Sequence, residues 1–168
     1  MIIAIDALYS EGKARVASIE FTGWKNAQAD KTHVLEMDSV EDYLPGEFYK
    51  RELPCILKIL EQSDLSKTEC VIVDGYVFLD DNGKHGLGGY LFERLNRKIP
   101  VIGVAKRKYF GNEKNVIEIK RGESQNPLFI TSIGMENAVA ADKIKNMAGN
   151  FRIPDLLKYL DRQTKEKK

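Results

Sequence analysis

The chain has 168 residues, 43% of them hydrophobic and 30% charged, with a formal net charge of +1. That length supports one domain with a single substantial core, and the composition is that of a soluble globular protein. A near-neutral balance does not by itself announce nucleic acid as a partner, and no apolar run approaches the roughly 18 residues of a membrane span. Local basic clusters do occur, at Lys50-Arg51, at Lys106-Arg107-Lys108 and in the tail Arg162, Lys165, Lys167 and Lys168. They could track phosphates, and a solvated surface explains any one of them equally well. The apolar N-terminus has no basic segment before it and carries Asp6, which argues against a signal peptide. Cys55 and Cys70 lie in apolar surroundings and read as reduced, buried small hydrophobes, the expectation for a cytoplasmic protein.

Met1 to Asp6 reads as a buried strand, followed by turn chemistry at Ser10-Glu11-Gly12-Lys13. From Arg15 to Thr22, Val16, Ser18, Glu20 and Thr22 alternate with Ala17, Ile19 and Phe21, which predicts a strand with one wet face. Thr32 to Met37 is a third strand, and the short links predict an antiparallel meander. After Pro45-Gly46 the period changes, and Tyr49, Leu53, Ile56, Leu57 and Leu60 mark an amphipathic helix over about 47–62. Cys70 to Asp74 is an all-apolar central strand. A Gly-rich loop from Asp80 to His85 leads to a helix over about 87–97 and a buried strand from Pro100 to Ala105. Val116 to Ile119 and Leu128 to Thr131 are further strand pieces. Helices over about 135–148 and 154–166 close the chain, the second with Pro154 in its first turn.

One domain is expected over residues 1–168, with a basic tail from about Thr164. The order of elements is the ribonuclease H-like plan: an α/β fold whose mixed sheet has three antiparallel strands, then parallel strands, with flanking helices. In that plan the first and fourth strands lie side by side, about 4.8 Å apart, so Asp6 and Asp74 can reach one cation. Open α/β sheets place ligands at that end.

Four carboxylates are hard to explain as ordinary surface. Asp6 and Asp74 each end an apolar strand, Glu52 leans toward the core-facing stripe of its helix, and Asp161 sits at the edge of the last helix's apolar face. Each aspartate alone could be a turn or surface residue. Glu52 needs a cation or a salt bridge from Arg51 or Lys106, because an unpaired carboxylate there is costly. Together they form the donor set that a Mg²⁺ site for phosphodiester chemistry requires. His33 reads as a surface residue, while His85, in the loop behind Asp74, could touch a phosphate or a water. The chain carries neither a Cys/His zinc spacing nor a phosphate loop ending in Lys-Ser/Thr.

The motifs resemble endonuclease V, a family that nicks nucleic acid near deaminated adenine. Ile5-Asp6-Ala7-Leu8-Tyr9 is similar to that family's first metal-aspartate strand, and Val73-Asp74-Gly75 to its second. Asp42-Tyr43-Leu44-Pro45-Gly46 resembles its wedge, and Arg51-Glu52 its Arg-Glu pair. Gly86-Leu87 followed by Pro100 through Lys106 resembles its catalytic-lysine strand. Asn126 through Ile130 and Arg152-Ile153-Pro154 through Asp161 resemble its C-terminal segment.

The resemblance implies Asp6 and Asp74 as Mg²⁺ ligands, with Mn²⁺ able to substitute. Glu52 and Asp161 would be ligands or water-positioning bases, and Lys106 would stand over the attacked phosphate. Tyr43 and Leu44 would insert beside the target nucleotide or merely pack at the helix entry, with Gly46, Gly75 and Val77 around the substrate. A DNA or RNA strand would be the partner of a monomer that acts away from membranes.

Three departures concern the substrate: Val77 stands where the family has a glycine, Leu79 to Lys84 replaces a His-Pro-Arg triplet, and Gly134-Met135-Glu136 replaces Gly-His-Arg. A valine there is expected to obstruct a flipped purine and weaken inosine selectivity. A weakened nucleic-acid-binding protein or a structure-specific nuclease on the same fold stays open. A small-molecule phosphotransferase lacks the glycine loop it would need.

Overall fold

The computed structural model describes residues 1–38 and 48–166. Tyr43, Leu44 and Gly46, the expected wedge residues, therefore lie outside the described residues. Strands β1 (Ile2–Ser10) and β2 (Lys13–Phe21) form a hairpin. Its two loop residues, Glu11 and Gly12, both have positive φ, at 52° and 76°. That backbone twist matches the flanking strands, so the expected turn is a tight hairpin turn. Strand β3 (Lys31–Asp38) adds antiparallel to β2. After helix α1 (Phe48–Leu60), β4 (Cys70–Asp74) returns parallel to β1, and after α2 (Leu87–Arg94), β5 (Val101–Ala105) lies parallel to β4. Strands β6 (Ile117–Ile119) and β7 (Leu128–Ile133) complete a seven-stranded sheet in the order β3-β2-β1-β4-β5-β7-β6. Helices α3 (Asn137–Lys145) and α4 (Asp155–Lys165) close the chain. This mixed sheet has the ribonuclease H-like architecture.

Strand periodicity divides the core into two layers. Ile3, Ile5, Val71, Val73 and Val101 pack with Leu53, Ile56, Ile59 and Leu91 of α1 and α2. Ile2, Ala4, Ile72, Ile102 and Val104 pack with Ala140, Ile144, Leu156 and Leu160 of α3 and α4. Cys55 and Cys70 are buried and unpaired, one in each layer.

Two expectations change. Strand β1 does not end at Asp6, because it continues to pair with β2 as far as Ser10↔Lys13 while its parallel pairing with β4 stops at Ile5↔Val73. The expected wet face of β2 is covered: Ser18 and Glu20 are fully buried. Glu20 accepts a 2.6 Å hydrogen bond from Ser63 Oγ, and Lys31 Nζ and His33 Nε2 lie 3.6 and 3.5 Å from its oxygens. Periodicity reports that the two faces differ. It does not report that the end of α1 and the side chains of β3 enclose the polar one.

Arg121 is nearly buried and donates to the carbonyls of Lys145, Met147, Gly149, Phe151 and Arg152. It fixes the link between α3 and α4 and so sets where α4 begins. Removing it leaves one buried and several partly buried carbonyls without a donor, and a buried loss costs about 1–3 kcal/mol. Arg121→Leu should therefore lower folding stability by about 3 kcal/mol or more, with Arg121→Lys recovering only part because one ammonium cannot span the fork. Urea denaturation measures this, and an unchanged midpoint for Arg121→Leu would contradict it.

Candidate active site

Asp6 follows Ala4 on β1, Asp74 follows Ile72 on β4, and Lys106 lies two residues past Val104 on β5. A period of two puts all three on the face covered by α4. The register sets their spacing: Ile5↔Val73 is the last parallel pair of β1 with β4, and Asp74 sits beside Val104. Asp161 reaches the same place from α4, one turn after Leu157. Together Asp6, Asp74, Lys106 and Asp161 line a cleft of about 410 Å³, walled by Ile153, Pro154, Leu157 and Leu160. Lys106 Nζ lies 3.5 Å from Asp74 Oδ2, with both side chains nearly half exposed. Lys165 Nζ holds Asp161 Oδ2 at 2.7 Å, and the Ala7 amide donates to Asp6 Oδ1 at 2.9 Å.

Glu52 comes from the opposite layer. It lines a second hollow of about 320 Å³ with Asp6, Asp74, Ile56 and Leu87. The strand ends thus separate two cavities, and Asp6 and Asp74 belong to both. Burial, then the charge of Asp74, pushes the Asp6 carboxyl up to about 6, despite the Ala7 amide and Lys106. Burial, then Asp74 and Asp6, pushes Glu52 up to about 7, with Arg51 pulling the other way. Arg51 also stacks over the Tyr9 ring at 4.1 Å. Two raised carboxyls, Asp6 and Glu52, beside the charge of Asp74 are the electrostatic state that a divalent cation relieves. Among the described residues, no three His, Cys, Asp or Glu side chains converge closely enough to hold one ion in this conformation.

Arg152 joins the walls of the cleft. Its guanidinium donates to the carbonyls of Lys106 at 2.6 Å, Pro127 at 2.9 Å and Asn126 at 3.0 Å, tying the entry to α4 against the end of β5. Gly75, next to Asp74, has φ +115°, a conformation in which a side chain is strained. Its carbonyl needs Gly103 opposite, where a Cβ would stand 2.6 Å from that oxygen.

Val77 is placed differently from the expectation. It is fully buried in the α1/α2 layer, its amide donates to Thr131 Oγ1 at 2.8 Å, and its Cγ2 faces Gly88 so closely that a Cβ there would be 2.7 Å away. It lines neither carboxylate cavity. Its methyl groups fill the core and do not obstruct the cleft. His85 likewise joins an aromatic group, 5.9 Å from Phe78 and 5.5 Å from Tyr90, which stacks on Tyr49 at 3.8 Å. The stretch from Leu79 to Lys84 is a built turn. Asp80 accepts from the amides of Asn82 and Lys84, and Asp81 from those of Glu113 and Lys114. Sequence reasoning missed Arg121 and Asp81, whose roles depend on distant backbone that no local pattern reveals.

A ribonuclease H-like sheet with carboxylates gathered where its central parallel strands separate defines a nuclease architecture. The endonuclease V family model matches residues 1–161, and the chain belongs to that family of metal-dependent nucleases. Endonuclease V of Trichormus variabilis is 23% identical over 172 residues, covering 91% of this chain and 76% of that protein. The crystal structure of human ENDOV superposes with a TM-score of 0.77 at 19% identity, covering 98% of this chain and 82% of that one. Endonuclease V of Ciona intestinalis, crystallised with a 24mer DNA containing an inosine followed by a ribo-adenosine, gives 0.78 at 16% identity, covering 98% and 84%.

Two outcomes follow from this geometry. Val77→Gly should destabilise the fold by about 2 kcal/mol or more through the cavity it leaves, and should leave the preference for an inosine strand over its plain twin unchanged. A rise in that preference would restore the steric reading of Val77. The raised carboxyls also set a pH dependence for the metal-free protein. A carboxyl held above its ordinary value contributes stability below that ordinary value and loses it as pH climbs through the folded one. In chelator, the melting temperature should therefore fall between about pH 4 and about pH 7, and Asp6→Asn/Glu52→Gln should flatten that fall. An identical slope in parent and variant would contradict the assignment.

Proposed function

We propose that this protein is a Mg²⁺-dependent endonuclease that cuts a DNA strand beside a deaminated purine, with inosine as the base selected and DNA repair as the setting. One observation carries the reading: Asp6 and Asp74 project from adjacent parallel strands into one cleft with Asp161 and Lys106. The donor set is all oxygen, which suits a hard cation, and the raised carboxyls of Asp6 and Glu52 are relieved by its charge. Asp6 and Asp74 would hold Mg²⁺, or Mn²⁺ in its place, and the bound ion supplies polarisation of the phosphate and a more acidic water.

The chain's own groups do the rest. Glu52 and Asp161, approaching from the two layers, are suited to orient the attacking water and to take its proton. Lys106 would leave Asp74 for the attacked phosphate and stabilise the charge that develops there. Gly75 leaves room beside Asp74 for a strand to come close, since no atom stands within 4 Å of where its Cβ would be. Tyr43, Leu44 and Gly46 are proposed as the wedge that holds the strand open while the base turns out. Val77 packs in the core and lines neither carboxylate cavity, which supports a reading in which inosine is still selected. The Ciona relative bound an inosine-containing DNA strand, which supports the substrate class.

A nucleic-acid-binding protein with weakened catalysis is the alternative, favoured by the failure of three carboxylates to converge in the described residues. One experiment separates the two. A labelled inosine strand and its unmodified twin, each as DNA and as RNA, are incubated with the protein and Mg²⁺, alongside Asp74→Asn. The account expects cutting of the inosine DNA strand and a loss of orders of magnitude in the nearly isosteric variant. Equal cutting by Asp74→Asn would remove the metal-site reading, and binding without cutting would establish the alternative.

A further inference from the structure

Phe110 is 88% exposed, the most exposed of the large hydrophobic side chains among the described residues. Tyr109 beside it is 49% exposed, and both follow Lys106, Arg107 and Lys108, all of them exposed. Isolated apolar side chains on a surface are unremarkable. This one is held out on a loop pinned at both ends. Arg152 donates to the Lys106 carbonyl, and Tyr76 Oη donates to the Arg107 carbonyl at 2.5 Å. The Asp81 amide donates to the Gly111 carbonyl at 3.1 Å, and its carboxylate takes the Glu113 and Lys114 amides. Tyr109 in turn lies against Tyr76, ring centroids 6.0 Å apart, and Tyr76 stands two residues beyond Asp74. The loop therefore starts at the cleft and presents bare rings next to three consecutive cations.

We infer that Phe110, with Tyr109 beside it, is a stacking platform for an unpaired base of the strand that enters the cleft, and that Arg107 and Lys108 hold that strand's phosphates. This rests on the nuclease reading and extends it to a preference for single-stranded flanks. Aromatic rings bind any base through its π-face, whereas bases inside a duplex have both faces already covered. The adjacent cations select a polyanion over an apolar protein surface, and their phosphate contacts add salt dependence without sequence preference. A second copy of this chain would bring the same three cations against themselves.

The test measures binding of a labelled single-stranded oligonucleotide without inosine, and of the same strand annealed, in chelator so that nothing is cut. Phe110→Ala should lose about tenfold in single-strand affinity while duplex affinity barely changes. Phe110→Trp should keep the affinity, and its fluorescence should be quenched by the single strand beyond any change in Trp24 of the parent. Single-strand binding by Phe110→Ala equal to the parent's, or equal losses on both strands, would overturn the platform, as would a dimer that Phe110→Ala converts to a monomer. If the parent cuts the inosine strand with Mg²⁺ while Phe110→Ala matches it in binding, only this inference falls. If the parent neither binds nor cuts any strand, the nuclease reading falls with it.

Discussion

The parallel pairing of β1 with β4 is the constraint on which the rest depends. Their register ends at Ile5↔Val73, so the next residue on each strand is an aspartate facing the same side. Two carboxylates so close repel each other, and Asp6 is held well above the ordinary range as a result of burial and of Asp74. The strands cannot move apart to relieve this, because Ile2, Ile3, Ala4 and Ile5 of β1 and Cys70 to Val73 of β4 are almost completely buried. Burying such side chains is worth roughly 1.5–3 kcal/mol each for the larger ones, far more than the repulsion at the strand ends. The core thus holds a charge arrangement that the exposed chain would disperse.

Each further part of the site reaches that point by its own scaffold. Helix α4 brings Asp161, and it is set by two arginines: Arg121 shapes the link before it, and Arg152 ties its entry to the Lys106 carbonyl. Helix α1 brings Glu52 over the other side of the strand ends. Lys106 neutralises part of the cluster at 3.5 Å from Asp74.

How much could be read from the sequence followed the range of each interaction. The strands, the parallel neighbours and the side-by-side aspartates were legible, because an apolar run ending in Asp is a local pattern and its pairing follows from the order of elements. The extension of β1 to Ser10 was not, since Asp6 breaks the apolar run while the hairpin keeps pairing. Glu20 looked like a solvent residue on alternation alone, and only Lys31, His33 and Ser63 closing over it make it buried. Arg121 sits in the charged stretch Lys120-Arg121-Gly122-Glu123 and reads as surface, although five distant carbonyls converge on it. The family pattern marked Val77, but its burial against Gly88 could not be read from the local sequence.

The central claim is that the paired aspartates hold a divalent cation, with Glu52 close enough to respond to its charge. Calorimetric titration with Mn²⁺ at about pH 6, in two buffers of different ionisation enthalpy, tests it most directly, because ligands must be deprotonated to bind. Asp6 at about 6 and Glu52 at about 7 are then partly protonated in the metal-free protein. The account predicts binding accompanied by proton release, with that release falling away above about pH 8 and reduced in Glu52→Gln. Binding with no buffer dependence, or no binding at all, would contradict it.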